Sequence, residues 1–314
     1  MPEHFDLAVA WDWEYDKEFI QLLESQMHAH ELLFYSITHH NVDETLKKIQ
    51  KDGLTFGAFL DRASDSDQKF EPLAKKIRKG STLIINNPDA LQHAKDKATM
   101  HLEFLTKGLE VPFTIIISPY SRKTEVELTL SDLANLGRPF IIKPANTTGG
   151  GTGVILGAES LKDVIESRQH HKNDKYLLQE RIKPMMLDSQ KAWYRIFYIF
   201  GLVLPCWWDD ETHIFRTITE NQMTDYGLQS LMTITNKIWE VCRLDFFSTE
   251  IAVTPDRKFV VVDYVNEICD MRPQSTHYDG VPDAVLIEIC RHTARHLKTT
   301  VTDLHIEESS FTKA

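Results

Sequence analysis

Cysteine is scarce in this sequence, and its spacing argues against two classes of protein. The 314 residues contain four cysteines, and no two of them form a CxxC pair. Disulfide-rich secreted domains and CxxC zinc sites both depend on denser cysteine patterns. We therefore expect a cytoplasmic protein with reduced, buried thiols at Cys206, Cys242, Cys269 and Cys290.

Long apolar runs and an excess of positive charge are also missing. The longest nearly apolar run, 196–208, is interrupted by Gly201 and Pro205, whereas a membrane-spanning helix needs about 20 apolar residues. The N-terminus lacks the basic and apolar regions of a secretory signal. The formal net charge of -11 at pH 7 disfavours generic binding to nucleic acid or to an anionic membrane. We expect neither as a partner.

The apolar pattern divides the chain into three regions. In 1–95, short apolar strands alternate with amphipathic helices, which is typical of a parallel α/β sheet. The regions 96–178 and 179–314 place strands beside one another with helices at their flanks, as in α+β lobes. One continuous helix is predicted over 90–108. The predicted fold class is therefore α/β and α+β, with an N-terminal domain followed by two lobes.

A glycine-rich segment, 143–154, reads KPANTTGGGTGV. Glycine lets backbone N–H groups approach a phosphate because no Cβ intervenes. The segment lacks the Gly-Lys-Ser/Thr of a Walker loop and the GxGxxG spacing of dinucleotide sites. Short β-branched residues follow it, so we expect a lid between two strands, with Lys143 as a point charge for phosphates. A plain hairpin tip is the alternative.

Acidic and amide side chains lie on two predicted strands near the end of the chain. Glu250 is on the first strand, and Asp263 and Asn266 end the second. Hairpin pairing would bring Glu250 opposite Asp263. Asp263 follows a run of apolar residues, where a charge is costly unless it is paired or metal-bound. Such oxygen ligands suit Mg²⁺, and an ordinary acidic strand end is the alternative.

Taken in order, these segments resemble the ATP-grasp superfamily, in its carboxylate–amine/thiol ligase branch with a glutathione synthetase-like ATP-binding fold. The resemblance extends from about 81 to 266 and is specific through its order and spacing. The motifs that carry it are Asn87-Pro88, Asp96-Lys97, 109–114 (LEVPFT), 138–143 (RPFIIK) with the glycine-rich segment, 179–182 (QERI), 195–201 (RIFYIFG), and Glu250 with Asp263-Tyr-Val-Asn266. The resemblance implies an ATP-grasp fold in which a parallel pre-grasp domain precedes two lobes that clasp ATP.

The resemblance also implies a role for individual residues. The α- and β-phosphates would be held by Lys97 and Lys143. The lid over the β- and γ-phosphates would contain Gly150, Gly151, Thr152 and Gly153. The adenine and ribose would meet Gln179, Glu180, Ile182 and Asp188. The metal, Mg²⁺ with Mn²⁺ as the alternative, would be bound by Glu250, Asp263 and Asn266. The transferring phosphoryl group would be steadied by Arg195 and Arg216.

Two positions leave alternatives open. The family usually has one residue between its last acidic ligand and the asparagine, whereas Tyr264 and Val265 separate Asp263 from Asn266 here. Either a bulge restores the geometry, or Tyr264 occupies the acidic position and weakens the metal site. Arg272 either binds a substrate carboxylate in a bidentate pair or forms an interdomain salt bridge.

The activity implied by the resemblance is ATP-dependent ligation. A small-molecule carboxylate would be joined to an amine or a thiol through an acyl phosphate, with release of ADP and phosphate. A small-molecule kinase on the same fold and a non-catalytic nucleotide-binding module are the alternatives. Proteins with such folds often form dimers, and on that ground alone a homodimer is the expected assembly.

Overall fold

The computed structural model describes residues 3–147 and 151–311, with side chains described as far as residue 300. The strands are β1 (His4–Trp11), β2 (Phe34–Ile37), β3 (Thr55–Arg62), β4 (Leu83–Ile85), β5 (Thr114–Ile117), β6 (Phe140–Pro144), β7 (Ile155–Ala158), β8 (Tyr176–Gln179), β9 (Met186–Leu187), β10 (Gln190–Lys191), β11 (Trp193–Ile199), β12 (Leu202–Trp208), β13 (Phe215–Thr217), β14 (Phe246–Val253) and β15 (Phe259–Asn266). The helices are α1 (Lys17–Ala29), α2 (Val42–Lys51), α3 (Glu71–Ile77), α4 (Pro88–Lys95), α5 (Lys97–Thr106), α6 (Leu130–Leu136), α7 (Leu161–Ser167), α8 (Glu220–Asp225), α9 (Ser230–Cys242) and α10 (Asp283–Phe311).

The first four strands form the predicted parallel sheet, in the order β2-β1-β3-β4. Helices cover both of its faces, which is why the middle of β1 is apolar at consecutive positions. Leu7 and Val9 pack with α1, whereas Ala8 and Ala10 pack on the other face with α3. Because β1 and β3 are parallel neighbours, their carboxyl ends lie at the same edge of this sheet.

Two larger antiparallel sheets follow, as predicted for α+β lobes, and β9 and β10 form a two-stranded antiparallel sheet between them in the chain. One has the order β5-β8-β6-β7 and the other β13-β12-β11-β14-β15. The glycine-rich segment connects β6 to β7, which pair in antiparallel fashion. The described part of the chain contains no helix with the length and apolar character that a membrane span requires. All four cysteines are buried and free, as expected.

The helix predicted over 90–108 is wrong in one respect, because it is two helices. Asp96 has an extended backbone conformation between α4 and α5. Its carboxylate accepts hydrogen bonds from the backbone N–H groups of Ala98 and Thr99. An aspartate cap satisfies amides that would otherwise lack partners at the start of a helix. Lys97 consequently stands in the first position of α5.

One apolar core joins the N-terminal sheet to the C-terminal lobe. Leu7 of β1 lies in it together with Phe197 of β11 and Leu286 of α10. One face of the sheet formed by β5 to β8 has a separate core, which includes Phe140 and Tyr176, whereas Leu177 of β8 packs in the core of the C-terminal lobe. The predicted domain boundaries at 95 and 178 stay predictions.

Candidate active site

Three adjacent strands of the C-terminal sheet carry a row of charged side chains. Arg195 on β11 is the register partner of Glu250 on β14, and Glu250 is the partner of Asp263 on β15. Register partners project from the same face of a sheet, so these side chains lie side by side. The predicted pairing of Glu250 with Asp263 is confirmed.

The Glu250 carboxylate is held from two sides. Arg195 Nη1 donates to Oε1 at 2.9 Å, and Trp193 Nε1 donates to Oε2 at 3.2 Å. Arg195 also donates through Nε to Ser248 Oγ at 3.3 Å, and its guanidinium carbon lies 5.4 Å from the centre of the Trp208 ring. These contacts fix both members of the Arg195–Glu250 pair in one orientation.

Two lysines approach the row from outside the sheet. Lys97 Nζ donates to Asp263 Oδ1 at 3.1 Å, and the Lys97 backbone N–H donates to the Ala145 carbonyl at 3.0 Å. Lys143 on β6 is buried, and its Nζ donates to the Val262 carbonyl at 3.3 Å. Both lysines that the sequence assigned to phosphate therefore contact β15.

A bulge in β15 accounts for the unusual spacing between Asp263 and Asn266. The pairing shifts by one residue between the Ser248–Asn266 and Glu250–Asp263 partners. A bulge turns two consecutive side chains toward one side of the strand. Here Tyr264 and its neighbour are both buried in the core on the opposite face, and Asn266 Nδ2 donates to Asp263 Oδ2 at 2.9 Å. Tyr264 does not occupy the acidic position.

Burial dominates the protonation behaviour of the row. Burial, reinforced by the charge of Asp263, raises the pKa of Glu250 to about 7, although Arg195 opposes the shift. Burial acts on Asp263 in the same direction, but the charges of Lys97 and Lys143 hold the pKa of its carboxyl well below the usual range. Burial lowers the pKa of Lys143 to about 8.

The donor set of this row fits a hard divalent cation. Glu250 and Asp263 supply carboxylate oxygens and Asn266 supplies an amide, and Mg²⁺ prefers oxygen ligands. Burial raises the pKa of Glu250 in spite of Arg195, which is the behaviour of a carboxylate whose charge is not fully compensated. Among the described residues, no cluster of three or more His, Cys, Asp or Glu side chains is arranged to hold a metal, so the amide of Asn266 would be the third donor.

A pocket of about 450 Å³ opens where the central lobe joins the C-terminal lobe, and none of the charged side chains of the row lines it. Glu180 and Ile182 line it, together with Arg138, Pro139 and Lys191. Ile182 also packs against the apolar cluster that contains Trp193, the hydrogen-bond donor to Glu250. The volume lies within the range of small-ligand sites.

Comparison by sequence gives no match, either to a protein-family model or to a curated protein. Comparison by structure gives clear matches. A RimK-domain ATP-grasp protein from Sphaerobacter thermophilus superposes with a TM-score of 0.61 at 17% identity, over 91% of this chain and 97% of the other. D-alanine–D-alanine ligase from Bacillus anthracis, complexed with ATP, gives 0.58 at 14% identity, over 94% and 99%. The ATP-grasp ligase PsnB, complexed with minimal precursor, Mg and ADP, gives 0.59 at 15% identity, over 93% and 97%.

This chain has the ATP-grasp fold. The fold class that the sequence predicted is thereby confirmed, with the parallel sheet as the N-terminal part and the two antiparallel sheets as the lobes. The row of charged residues lies on the C-terminal lobe of this ATP-grasp fold, and Lys143 reaches it from the central lobe.

The glycine-rich segment, for which a lid is predicted, is described only in part. Gly151 and Gly153 have positive φ angles of 77° and 75°, in the region that favours glycine. Thr152 between them is exposed. Gly150, which the sequence assigned to the same lid, lies outside the described residues. The phosphate roles of this segment stay predictions.

The residues assigned to adenine are spread over two environments. Gln179 is buried and donates through Nε2 to the Tyr264 hydroxyl at 2.7 Å. Glu180 Oε1 accepts from the Phe113 backbone N–H at 2.8 Å, so its side chain holds the start of the neighbouring strand. Ile182 stays at the pocket wall. Gln179 therefore holds the Tyr264 side chain in the core and does not line the pocket.

Two assigned residues are not brought to the row. Arg216 pairs in register with Trp207, which belongs to the apolar cluster on the opposite face of the C-terminal sheet. Because side chains alternate along a strand, Arg216 projects away from Glu250. Asp188 lies in the turn between β9 and β10 and accepts a hydrogen bond from the Tyr226 hydroxyl, next to Trp207.

Arg272 does not offer a free guanidinium to a substrate. Its Nε and Nη2 donate to the Asp270 carboxylate at 2.7 to 3.1 Å. Its Nη1 and Nη2 donate to Asp279 at 3.2 and 3.0 Å. Arg272 therefore forms salt bridges within its own loop, and the alternative of an interdomain salt bridge is wrong in its choice of partners.

Sequence reasoning missed two residues that shape this site, Trp193 and His101, and considered a different role for a third, Tyr264. Trp193 holds Glu250, and Tyr264 and His101 form a buried pair beneath Lys143. The two-residue gap between Asp263 and Asn266 was the signal for Tyr264. His101 stands four residues after Lys97, so it shares a helix face with that lysine.

Proposed function

We propose that this protein is an ATP-dependent ligase that joins a small carboxylate to an amine or a thiol. The observation that carries the proposal is the convergence of Lys97, Lys143 and Arg195 on one sheet face, where Lys97 and Arg195 pair with Asp263 and Glu250 and Lys143 contacts the strand of Asp263. Cations of this kind match the charge of a transferring phosphoryl group. The similar structures, which include ligases complexed with ATP or with Mg and ADP, support the same reading.

The proposed reaction has two steps. A carboxylate oxygen of the substrate attacks the γ-phosphorus of ATP, which breaks the bond to the β–γ bridging oxygen and releases ADP. The nitrogen or sulfur of the second substrate then attacks the acyl carbon, loses its proton and releases phosphate. No protein nucleophile is needed, so the protein acts by positioning and by electrostatic stabilisation.

In this proposal the chain's own residues have distinct tasks. Lys97 and Lys143 bind the phosphates, and Arg195 stabilises the charge that develops on the transferring group. Gly151, Thr152 and Gly153 belong to the lid that keeps water away from the acyl phosphate. Glu250, Asp263 and Asn266 would hold Mg²⁺, which would supply positive charge to the phosphate oxygens when bound.

Mass spectrometry on a deproteinised, desalted cell extract tests this function. The extract is incubated with the protein, ATP and Mg²⁺, and a matched sample contains the Lys143→Ala variant. A ligase yields ADP and a new species equal to two metabolites minus water, in the wild-type sample only. A metabolite that gains only a phosphoryl group would replace the ligase with a kinase. Absence of both product and ADP would favour a nucleotide-binding module.

A further inference from the structure

We propose that Tyr264, which the bulge turns into the core, is a positioning residue that fixes the Lys143 ammonium group in the site. The proposal rests on the proposed function only in giving Lys143 a phosphate to bind. The positioning itself is a matter of contacts within the chain.

The ring of Tyr264 forms a platform beneath Lys143. Tyr264 is fully buried, and Lys143 Nζ lies 5.2 Å from the centre of its ring. A cation within about 6 Å of an aromatic face is attracted by the negative face of the ring. Phe104 packs edge-on against the same ring, with centres 5.3 Å apart, so the platform is supported from the side.

The hydroxyl of Tyr264 fixes the ring within its own plane. Gln179 Nε2 donates to the hydroxyl oxygen at 2.7 Å, and His101 Nδ1 lies 2.6 Å from the same atom. Burial, together with the charge of Lys143, lowers the pKa of His101 to about 4. A neutral imidazole offers a ring nitrogen as an acceptor, so the hydroxyl accepts from Gln179 and donates to His101.

The same helix carries both partners of β15. Lys97 and His101 lie four residues apart on α5, and they contact the consecutive residues Asp263 and Tyr264. Residues at this spacing project from one side of a helix. The bulged strand thus uses adjacent residues to hold α5 and to support the lysine of the central lobe.

A buried tyrosine often serves only to fill a core, and matched variants separate that role from positioning. Tyr264→Phe keeps the ring and removes the hydroxyl, whereas Tyr264→Leu removes both. Tyr194→Phe is the control for the hydroxyl, because Tyr194 is buried on the same sheet and its hydroxyl has no partner among the described residues. Tyr198→Leu is the control for loss of a buried ring.

The first readout does not require ATP. In protein labelled with ¹³C at lysine Cε, the ring current of Tyr264 displaces the Lys143 resonance, which Lys143→Arg assigns by its disappearance. We expect the displaced signal in wild type, Tyr264→Phe and Tyr198→Leu, and its return to the ordinary lysine range in Tyr264→Leu. An undisplaced signal in wild type would overturn the proposal, whatever the protein binds.

The second readout is the affinity for a fluorescent ATP analogue with Mg²⁺. We expect Tyr264→Phe, which removes the hydroxyl and so frees the ring within its plane, to weaken binding about fivefold, and Tyr264→Leu about 10- to 30-fold. Both control variants should bind like wild type. Equal affinity of Tyr264→Leu and wild type would overturn the positioning role. A wild-type protein that shows the displaced signal but binds no ATP would refute the proposed function and leave the contact between Tyr264 and Lys143 established.

Discussion

Asp16 and Arg62 show how this protein buries charge where the charge only has to hold the structure together. Arg62 donates through Nε and Nη2 to the two Asp16 oxygens at 2.8 and 2.6 Å, and Nη2 also donates to the Cys269 carbonyl at 2.9 Å. Both side chains are almost fully buried. One cation thus meets one carboxylate in a bidentate pair, which is the strong geometry for arginine.

The row on the C-terminal sheet buries charge differently. There Glu250 and Asp263 lie side by side, and three cations surround them. Burial and neighbouring like charges both disfavour the charged forms, and burial is the larger cause of the displaced pKa values of Glu250 and Lys143. The comparison teaches that a balanced pair marks a structural joint, whereas an unbalanced group marks a place prepared for a charged ligand.

Removing one charge from the row should have the largest effect. Lys143→Ala and Glu250→Ala should each lower turnover by at least about 10³-fold, because preorganised charges contribute most at the transition state. ADP release in the extract assay measures the loss, and circular dichroism checks that the fold is retained. Lys162→Ala is the matched control, since Lys162 is an exposed lysine paired with Glu166. Normal turnover in both site variants would remove the row from the mechanism.

Breaking the structural pair should instead reduce stability. Arg62→Met leaves the Asp16 carboxylate buried without its partner, which costs about 3–5 kcal/mol in the free energy of unfolding. Urea denaturation measures this loss. Lys75→Met, which breaks the exposed pair between Lys75 and Glu71, should cause no measurable change. A loss below about 1 kcal/mol for Arg62→Met would mean that burial does not distinguish the two pairs.

Glu250→Gln should change how the free energy of unfolding depends on pH, which tests whether Glu250 is an incompletely compensated charge. Because burial raises the pKa of Glu250 from 4.5 to about 7, the folded state binds more protons than the unfolded state between those values. Wild-type stability therefore falls as pH rises from about 5 to about 7.5, and the variant lacks this contribution. Urea denaturation at several pH values, without Mg²⁺ or nucleotide, should show the variant gaining on wild type across the window. A difference that does not change with pH would contradict the raised pKa.

Arg216→Ala should have the smallest effect. Arg216 is exposed and lies on the sheet face opposite Glu250, so turnover should stay within about twofold of wild type, as for ordinary surface substitutions. Arg195→Ala, which removes the cation paired with Glu250, serves as the comparison and should lose most of its activity. Equal losses in the two variants would show that the face assignment of Arg216 is wrong.

Local pattern was enough to predict the sheets and part of the site. The apolar runs of β1 and the helical spacing in α1 belong to segments whose environment is decided by their own sequence. The pairing of Glu250 with Asp263 followed from a short hairpin turn, which fixes register over a few residues.

The predictions failed at positions where the local structure depends on residues that are distant in the sequence. The face of Arg216 depends on the register of the short strand β13 against β12, which no local signal specifies. At Asp96 two local signals compete, because the apolar spacing favours one continuous helix whereas the aspartate favours the start of a new one. The contact between Lys97 and the distant Ala145 accompanies the break. Tyr264 lies beneath Lys143 because β15 has a bulge. The only sign of this bulge in the sequence is one extra residue between Asp263 and Asn266.

The two apolar cores that the central lobe takes part in have a mechanical consequence. Phe140 and Tyr176 lie in a core that the central lobe encloses itself, whereas Leu177 on β8 packs in the core of the C-terminal lobe. A rotation of the central lobe about its chain connections would pull Leu177 out of that core and would break the hydrogen bond from Gln179 to Tyr264. The floor of the cleft is therefore a joint that resists rotation, and it keeps Lys143 and the row of charged side chains in one arrangement.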